Sequence, residues 1–186
     1  MNSRIRFPTM IFAMAVVATS LAGLRPAAAA DAAKLERDSR KALSSLYAGS
    51  PGARALGDKA RGILVFPDVT KAGLIIGGQG GEGVLLIGGK VVDYYSTAAA
   101  SIGLQAGAQS FGYTLFFMTD AVLKDFRNSS GFEIGVGPNV VVVDAGAAKD
   151  INTLTGKADV YAMIFGQKGL MAGIGLQGTK ISKIKP

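Results

Sequence analysis

The chain contains no cysteine, no histidine and no tryptophan. Without cysteine there is no disulfide, no thiolate nucleophile and no attachment point for a lipoprotein anchor. Without histidine the usual acid–base group near neutral pH is missing, and zinc sites built from Cys and His go with it. Carboxylates are the acid or base candidates that remain for hydrolysis, and Glu82, Asp93, Asp120 and Glu133 are the central ones. None sits in a metal-binding or glycosidase spacing, and paired-carboxylate catalysis needs a separation that a sequence does not display. Each therefore reads as a turn, cap or ion-pair residue, and neither enzymatic activity nor a cofactor is expected.

What the chain has in quantity is glycine, 26 of 186 residues, within a composition that is 49% apolar. That mixture suits short strands joined by tight turns better than a helical bundle. The first thirty residues read as a targeting segment. Arg4 and Arg6 form a positive start, Met10 to Leu24 is an apolar run, Pro26 breaks it, and Ala28-Ala29-Ala30 is a small-residue cleavage site before Asp31. The run is shorter than the roughly 20 residues that a spanning helix needs, so a cleaved signal peptide over 1–30 is expected rather than a membrane anchor. Leu24 stands where a lipoprotein signal would carry cysteine after Leu21-Ala22-Gly23. An exported, periplasmic protein that is not a lipoprotein follows as the expectation.

Removing 30 of 186 residues leaves 156, enough for one domain with a real core over 31–186. Its 17 basic and 13 acidic residues give a net charge of +4. Residues 31–61 hold seven basic and four acidic side chains, residues 62–167 hold six and nine, and the stretch from Lys168 onward holds four and none. Both ends are positive around a mildly negative middle, a pattern open to two readings: an anionic surface met by the termini, or a solubilising scatter of cations.

From Asp31 to Ala48, Leu35, Ala42, Leu43, Leu46 and Tyr47 share one helical face. Lys34, Lys41 and Arg40 border that stripe, where long stems can reach toward lipid headgroups. The stripe is narrow, and packing on its own domain is the favoured use. Ser50-Pro51 is a helix start and Gly62 a stop, giving a second short helix that carries Arg54, Lys59 and Arg61. Then the pattern changes to apolar runs separated by glycine. Residues 63–66, 74–76, 84–87, 91–95, 102–106 and 113–117 read as successive strands, with Gly88-Gly89 as a hairpin turn. Thr119 is predicted to cap a helix through Phe126, whose apolar face is Val122, Leu123 and Phe126. Further strands are expected at 132–136, 140–143, 160–165, 170–176 and 179–184. The four valines of 140–143 suggest a strand buried on both faces.

Gly78-Gln79-Gly80-Gly81-Glu82-Gly83 matches the spacing of a dinucleotide fingerprint, yet it is followed by the strand-like Val84-Leu85-Leu86-Ile87. That fingerprint holds phosphate at a helix N-terminus, so a glycine-rich turn between antiparallel strands is the better account. Adjacent Tyr94 and Tyr95 alternate across a strand, so that one faces the core and the other faces out. Gln105, Gln109 and Ser110 are polar in apolar surroundings, either bonded internally or lining a ligand groove, with internal bonding favoured. Ile102-Gly103-Leu104-Gln105 and Ile174-Gly175-Leu176-Gln177 are near-identical but too short to call a repeat.

Ordered blocks along the chain resemble the SYLF family. They are Ile63-Leu64-Val65-Phe66-Pro67, Lys71-Ala72-Gly73, Gly81-Glu82-Gly83, Tyr94-Tyr95-Ser96-Thr97 with the Gly103-to-Ser110 segment, Phe116-Phe117-Met118-Thr119-Asp120, the stretch from Phe165 to Gly173, and Gly178-Thr179-Lys180-Ile181. The resemblance runs from about Lys34 to the C-terminus. It implies a lipid-binding domain, with phosphoinositide and other anionic phospholipid binding in eukaryotic members helped by an N-terminal amphipathic helix, and actin binding in yeast members. An export signal takes the chain away from actin, so actin binding is not carried over; phosphatidylglycerol or cardiolipin would replace phosphoinositides in a bacterial envelope.

The expected architecture is α+β, a mainly antiparallel, glycine-rich sheet or barrel-like core with N-terminal amphipathic helices and one central short helix. The expected partner is an anionic phospholipid surface, with no nucleic acid, and the candidate contacts are Lys34, Arg37, Arg40, Lys41, Arg54, Lys59 and Arg61. Two other classes remain open: an envelope structural or interaction protein with incidental lipid affinity, and an outer-membrane barrel, although most strands fall short of the roughly 9–11 residues a membrane strand needs.

Overall fold

A computed structural model describes residues 27–135, 140–145, 158–169, 176 and 178–185, the side chains at 27–29, 74–75, 101–106 and 169 excepted. The segment before Ala27, most of the expected strand at 170–176 and the second tetrapeptide apart from Leu176 lie outside the described residues. Three helices appear where local signals placed them. α1 spans Ala27–Gly49. α2 spans Pro51–Lys59, and Ser50 in extended conformation accepts a hydrogen bond from the Ala53 amide at 3.3 Å while Pro51 occupies the first turn. α3 spans Asp120–Asn128 and is capped in the same way by Thr119, whose Oγ1 accepts from the Val122 amide at 3.3 Å. Val122, Leu123 and Phe126 are its buried face.

The strands differ from the expected set, and the expected strand at 132–136 shortens to Phe132–Glu133 because Ile134 and Gly135 form a turn. The six short runs between 63 and 117 fuse into two long bent strands, β1 (Gly62–Ile87) and β2 (Lys90–Phe117), paired antiparallel along their whole length. Gly88 and Gly89 take φ of 57° and 76° and make the hairpin turn as expected. The glycine-rich segment at 78–83 is not a turn: it is extended strand, with Gly78 opposite Ala100, Gly81 opposite Thr97 and Gly83 opposite Tyr95. Its glycines serve close approach instead. A Cβ at Gly83 would lie 2.4 Å from the Val65 carbonyl oxygen, and one at Gly81 would lie 2.6 Å from that of Asp68. Strand β1 therefore bends back so that its second half lies against its first.

The remaining strands are β3 (Phe132–Glu133), β4 (Val140–Asp144), β5 (Val160–Gly169) and β6 (Lys180–Ile184). The order is β3-β6-β2-β5-β4, with β1 paired to the other side of β2. The first part of β2 carries β6 and its last part carries β5; all pairings are antiparallel except β4 with β5. The protein is thus α+β with a mostly antiparallel, curled sheet. Alternation along the strands divides the apolar residues between two sides of it. Inside lie Leu64, Phe66, Leu85, Tyr95, Phe111, Tyr113, Leu115 and Phe117, closed by the apolar face of α3. Outside, Val65, Val84 and Leu86 meet α1, and Phe116, Tyr161 and Met163 meet Leu46 of α1 with Ala53 and Leu56 of α2.

The valine strand departs from expectation. β4 is the terminal strand of the order, bonded to β5 on one side, and Val142 is 43% exposed while Val140, Val141 and Val143 are half-buried. An edge position buries one face at most, so four valines in a row did not mean a central strand. Phe126 occupies the opposite extreme. It packs against Tyr95, Phe117 and Phe132 with ring centroids 4.8, 4.7 and 5.3 Å away. Phe126→Ala is expected to lower unfolding free energy by about 3–5 kcal/mol. Val142→Ala should change it by no more than about 0.5 kcal/mol, and urea denaturation of both variants checks the contrast.

Candidate functional site: the outward face of the first helix

The apolar stripe of α1 is used within the domain. Leu35, Ala42 and Leu43 pack over the seam where Val65, Val84 and Leu86 meet, and Leu46 is buried against the second outer cluster. The opposite face is cationic: Lys34, Arg37 and Lys41, spaced i, i+3 and i+7, form one exposed row, with exposed Arg40 beside it. Two side-chain bonds fix how this face is presented. The Tyr94 hydroxyl donates to the Glu36 carboxylate, and Arg40 Nη1 donates to the Gly89 carbonyl at 2.9 Å, tying the helix to the hairpin turn.

The seven candidate cations fall into different settings. Lys34 pairs with Asp38 at 2.8 Å, and that shared hydrogen bond is the main reason the Lys34 ammonium titrates above its ordinary value and the Asp38 carboxyl below. Both are exposed, so the pair contributes little to stability. Lys34 and Lys41 border a cleft of about 470 Å³ that also receives Asp38, Asp68 and Lys168. Arg40 and Arg61 stand at the rim of a second cleft, about 390 Å³, walled by Leu43, Ile63 and Leu86. Arg61 is 3.6 Å from Asp120. Arg54 lies over the Tyr47 ring at 5.1 Å, and Lys59 is exposed in the last turn of α2, where a cation suits the helix dipole.

Lys168 was not among the residues singled out from sequence, although the charge count marked the stretch it begins. Strand β5 carries it to the α1 cations across more than a hundred residues, a placement that no local signal reveals. The other C-terminal lysines are not equivalent to it. Lys183 is directed at Asp93, a buried carboxylate that also accepts from Arg127 Nε at 2.9 Å. That cation is engaged within the fold, and Asp93 reads as an ion-pair residue.

The Tyr94-Tyr95-Ser96-Thr97 block has an architectural role residue by residue. Tyr94 anchors α1, Tyr95 is buried against Phe126, and the Thr97 hydroxyl accepts a 2.6 Å bond from the buried Tyr113 hydroxyl. Ser96 faces Ser182 across the β2–β6 ladder. Tyr94 and Tyr95 are therefore half-out and in, as their alternation required. Among the described residues, no group of three or more acidic side chains is placed to hold a metal ion, and no helix is long and apolar enough to cross a membrane.

Residues 98–185 match the family described as Ysc84, Las17-binding protein actin regulator. The matched segment is a little under half of the chain and is consistent with this family, also called SYLF, a family of binding domains of the lipid- and actin-binding type. The match begins in β2 and covers β3 to β6, so α1 and its cations precede it. No curated protein matches the chain.

Removing the α1 anchor should be measurable. Tyr94→Phe is expected to cost about 1 kcal/mol and to speed amide exchange across residues 31–40 more than across β5. Alkaline pH tests the same region. The Glu36 hydrogen bond pushes the Tyr94 hydroxyl up to about 12, and burial does the same for Tyr95. A free tyrosine titrates near 10, so the folded state holds both protons more tightly. Their contribution to stability is intact below about pH 10 and drains away as pH rises toward 12; denaturation midpoints taken at pH 8, 10 and 11 should show that order.

Proposed function

We propose that the mature domain is an exported, non-enzymatic module that attaches reversibly to anionic phospholipid surfaces through the outward face of α1. The observation carrying this reading is the division of that helix: its apolar stripe is buried on β1, while Lys34, Arg37 and Lys41 form an exposed row with Arg40 and Lys168 nearby. A helix whose apolar side is already covered meets a membrane by charge rather than by insertion. Each cation near an anionic surface contributes about 1 kcal/mol, so three or four together give weak attachment that salt weakens. Arg54 and Lys59 on α2 are exposed further cations, and Arg61 contributes less because Asp120 lies beside it.

The family description speaks of Las17 binding and actin regulation. An exported chain would not meet actin, and phosphatidylglycerol or cardiolipin would supply the negative charge in a bacterial envelope. The geometry of α1 is compatible with export. Cleavage after Ala30 leaves Asp31 in the new first turn, where a carboxylate favours the helix dipole, and every packing residue from Leu35 onward is retained. Sequencing the N-terminus of the protein recovered from its producing cells should return Asp31; retention of the first thirty residues would contradict processing.

Co-sedimentation with vesicles tests the membrane role. Vesicles containing phosphatidylglycerol should retain the mature domain in low salt, and purely phosphatidylcholine vesicles should not. Neutralising the row as Lys34→Gln, Arg37→Gln and Lys41→Gln together should weaken binding on the order of 100-fold, the equivalent of about 3 kcal/mol. Equal retention by neutral vesicles, or an unchanged triple variant, would refute the reading.

A further inference from the structure

A cleft of about 390 Å³ opens where α1, the end of α2 and the hairpin turn between β1 and β2 meet. Leu43 and Tyr47 line it from α1, Ile63 and Leu86 line it from the two ends of β1, and the Gly88-Gly89 turn borders it. Leu86 is buried, whereas Leu43, Tyr47 and Ile63 are half-buried and keep apolar surface toward the cleft. A side chain at Gly57 would run into the Tyr47 hydroxyl, so glycine at that position lets the ring lie against α2.

Charge around this cleft has one sign. Arg40 from α1 and Arg61 from the link between α2 and β1 line it, both exposed, and no carboxylate does. The clefts of about 470 and 420 Å³ differ in this respect, since Asp38 and Asp68 line the first and Asp144 the second. Both guanidiniums keep donors to spare. Arg40 uses Nη1 on the Gly89 carbonyl, and Arg61 faces Asp120 through Nε at 3.6 Å, longer than a hydrogen bond. Arginine presents five donors in a planar fork that fits a carboxylate or a phosphate. At the roughly 30 Å³ that a water-sized group occupies in a liquid, the cleft has room for about a dozen such groups, which is one acyl chain rather than two.

We infer that this cleft binds a single acyl chain ending in an anionic group, the chain lying against Leu43, Tyr47, Ile63 and Leu86 and the anion held by Arg40 and Arg61. The carboxylate of a free fatty acid and the phosphate of a one-chain lysophospholipid share this chemistry. The site goes beyond the vesicle reading and does not rest on it. Surface attachment uses the row of Lys34, Arg37 and Lys41 and leaves the acyl chains in the bilayer, whereas the cleft takes up the chain of one molecule.

Calorimetric titration of the purified protein with hexanoate, octanoate, decanoate and laurate below their micelle-forming concentrations, with decanol as the uncharged control, tests it. Affinity is expected to rise about fourfold per added methylene until the cleft is full and then to level off. Decanol should bind at least about tenfold more weakly than decanoate, because it brings no charged acceptor to the guanidiniums. Lysophosphatidylglycerol of the same chain length separates the sources. Binding of both assigns the cleft to either anion, decanoate alone assigns it to free fatty acids, and the lysolipid alone assigns it to a phosphate headgroup. Arg40→Gln combined with Arg61→Gln should weaken binding of the anionic ligand at least about tenfold and leave decanol unchanged. Ser44 is exposed on α1 and lines the cleft, so Ser44→Trp should fill it and weaken every ligand. The Lys34, Arg37 and Lys41 triple variant should bind decanoate as the parent does, whatever its behaviour with vesicles. No saturable binding of any anionic ligand, decanol binding as tightly as the anion of equal chain length, or a Ser44→Trp variant that binds like the parent would overturn the inference.

Discussion

A backbone oxygen of Val65 occupies the space that a side chain at position 83 would need, and the same holds for Asp68 and position 81. The close contact between the two halves of β1 that these glycines permit sets up the rest of the molecule. It curls the sheet, so that alternate residues of one strand pair face an enclosed core. It also brings Val65 next to Val84 and Leu86 on the outer side, creating the apolar seam that α1 covers. Side chains at 81 and 83 would collide with these carbonyl oxygens and force the two halves of β1 apart.

The seam explains why the amphipathic helix is divided as it is. A stripe of three leucines, an alanine and a tyrosine is narrow for binding a bilayer and sufficient for covering a groove between strands. Once it is covered, the polar face is turned outward as a whole, and Tyr94 and Arg40 hold it in rotation through Glu36 and the Gly89 carbonyl. The charge on this face is moderated by Asp38 and extended by Lys168. Tyr94, which like α1 precedes the matched segment, thus orients the helix.

Much of the architecture was legible in the chain because its signals are local. The Ser50-Pro51 and Thr119 caps, the Gly88-Gly89 turn, the periodicity of α1 and α3 and the alternation of Tyr94 with Tyr95 each depend on residues within a few positions of one another. Two misreadings share a cause. Glycines at 78–83 look the same whether they turn a chain or let two strands touch, and four valines look the same in a central strand as at an edge, where only one side finds a neighbour.

What the sequence determined by itself was the kind of each element, the pattern of its faces and the sign of its charges. Those follow from side-chain volume, backbone freedom and hydrogen bonds between near neighbours. Tertiary structure alone decided which cations gather, placing Lys168 beside Lys34 and Lys41, turning Lys183 toward Asp93 and bringing Arg61 to the cleft that Arg40 borders. Such meetings depend on how β1 bends and on the order in which β5 and β6 join β2. These are properties of distant pairings, and no short stretch of residues encodes them.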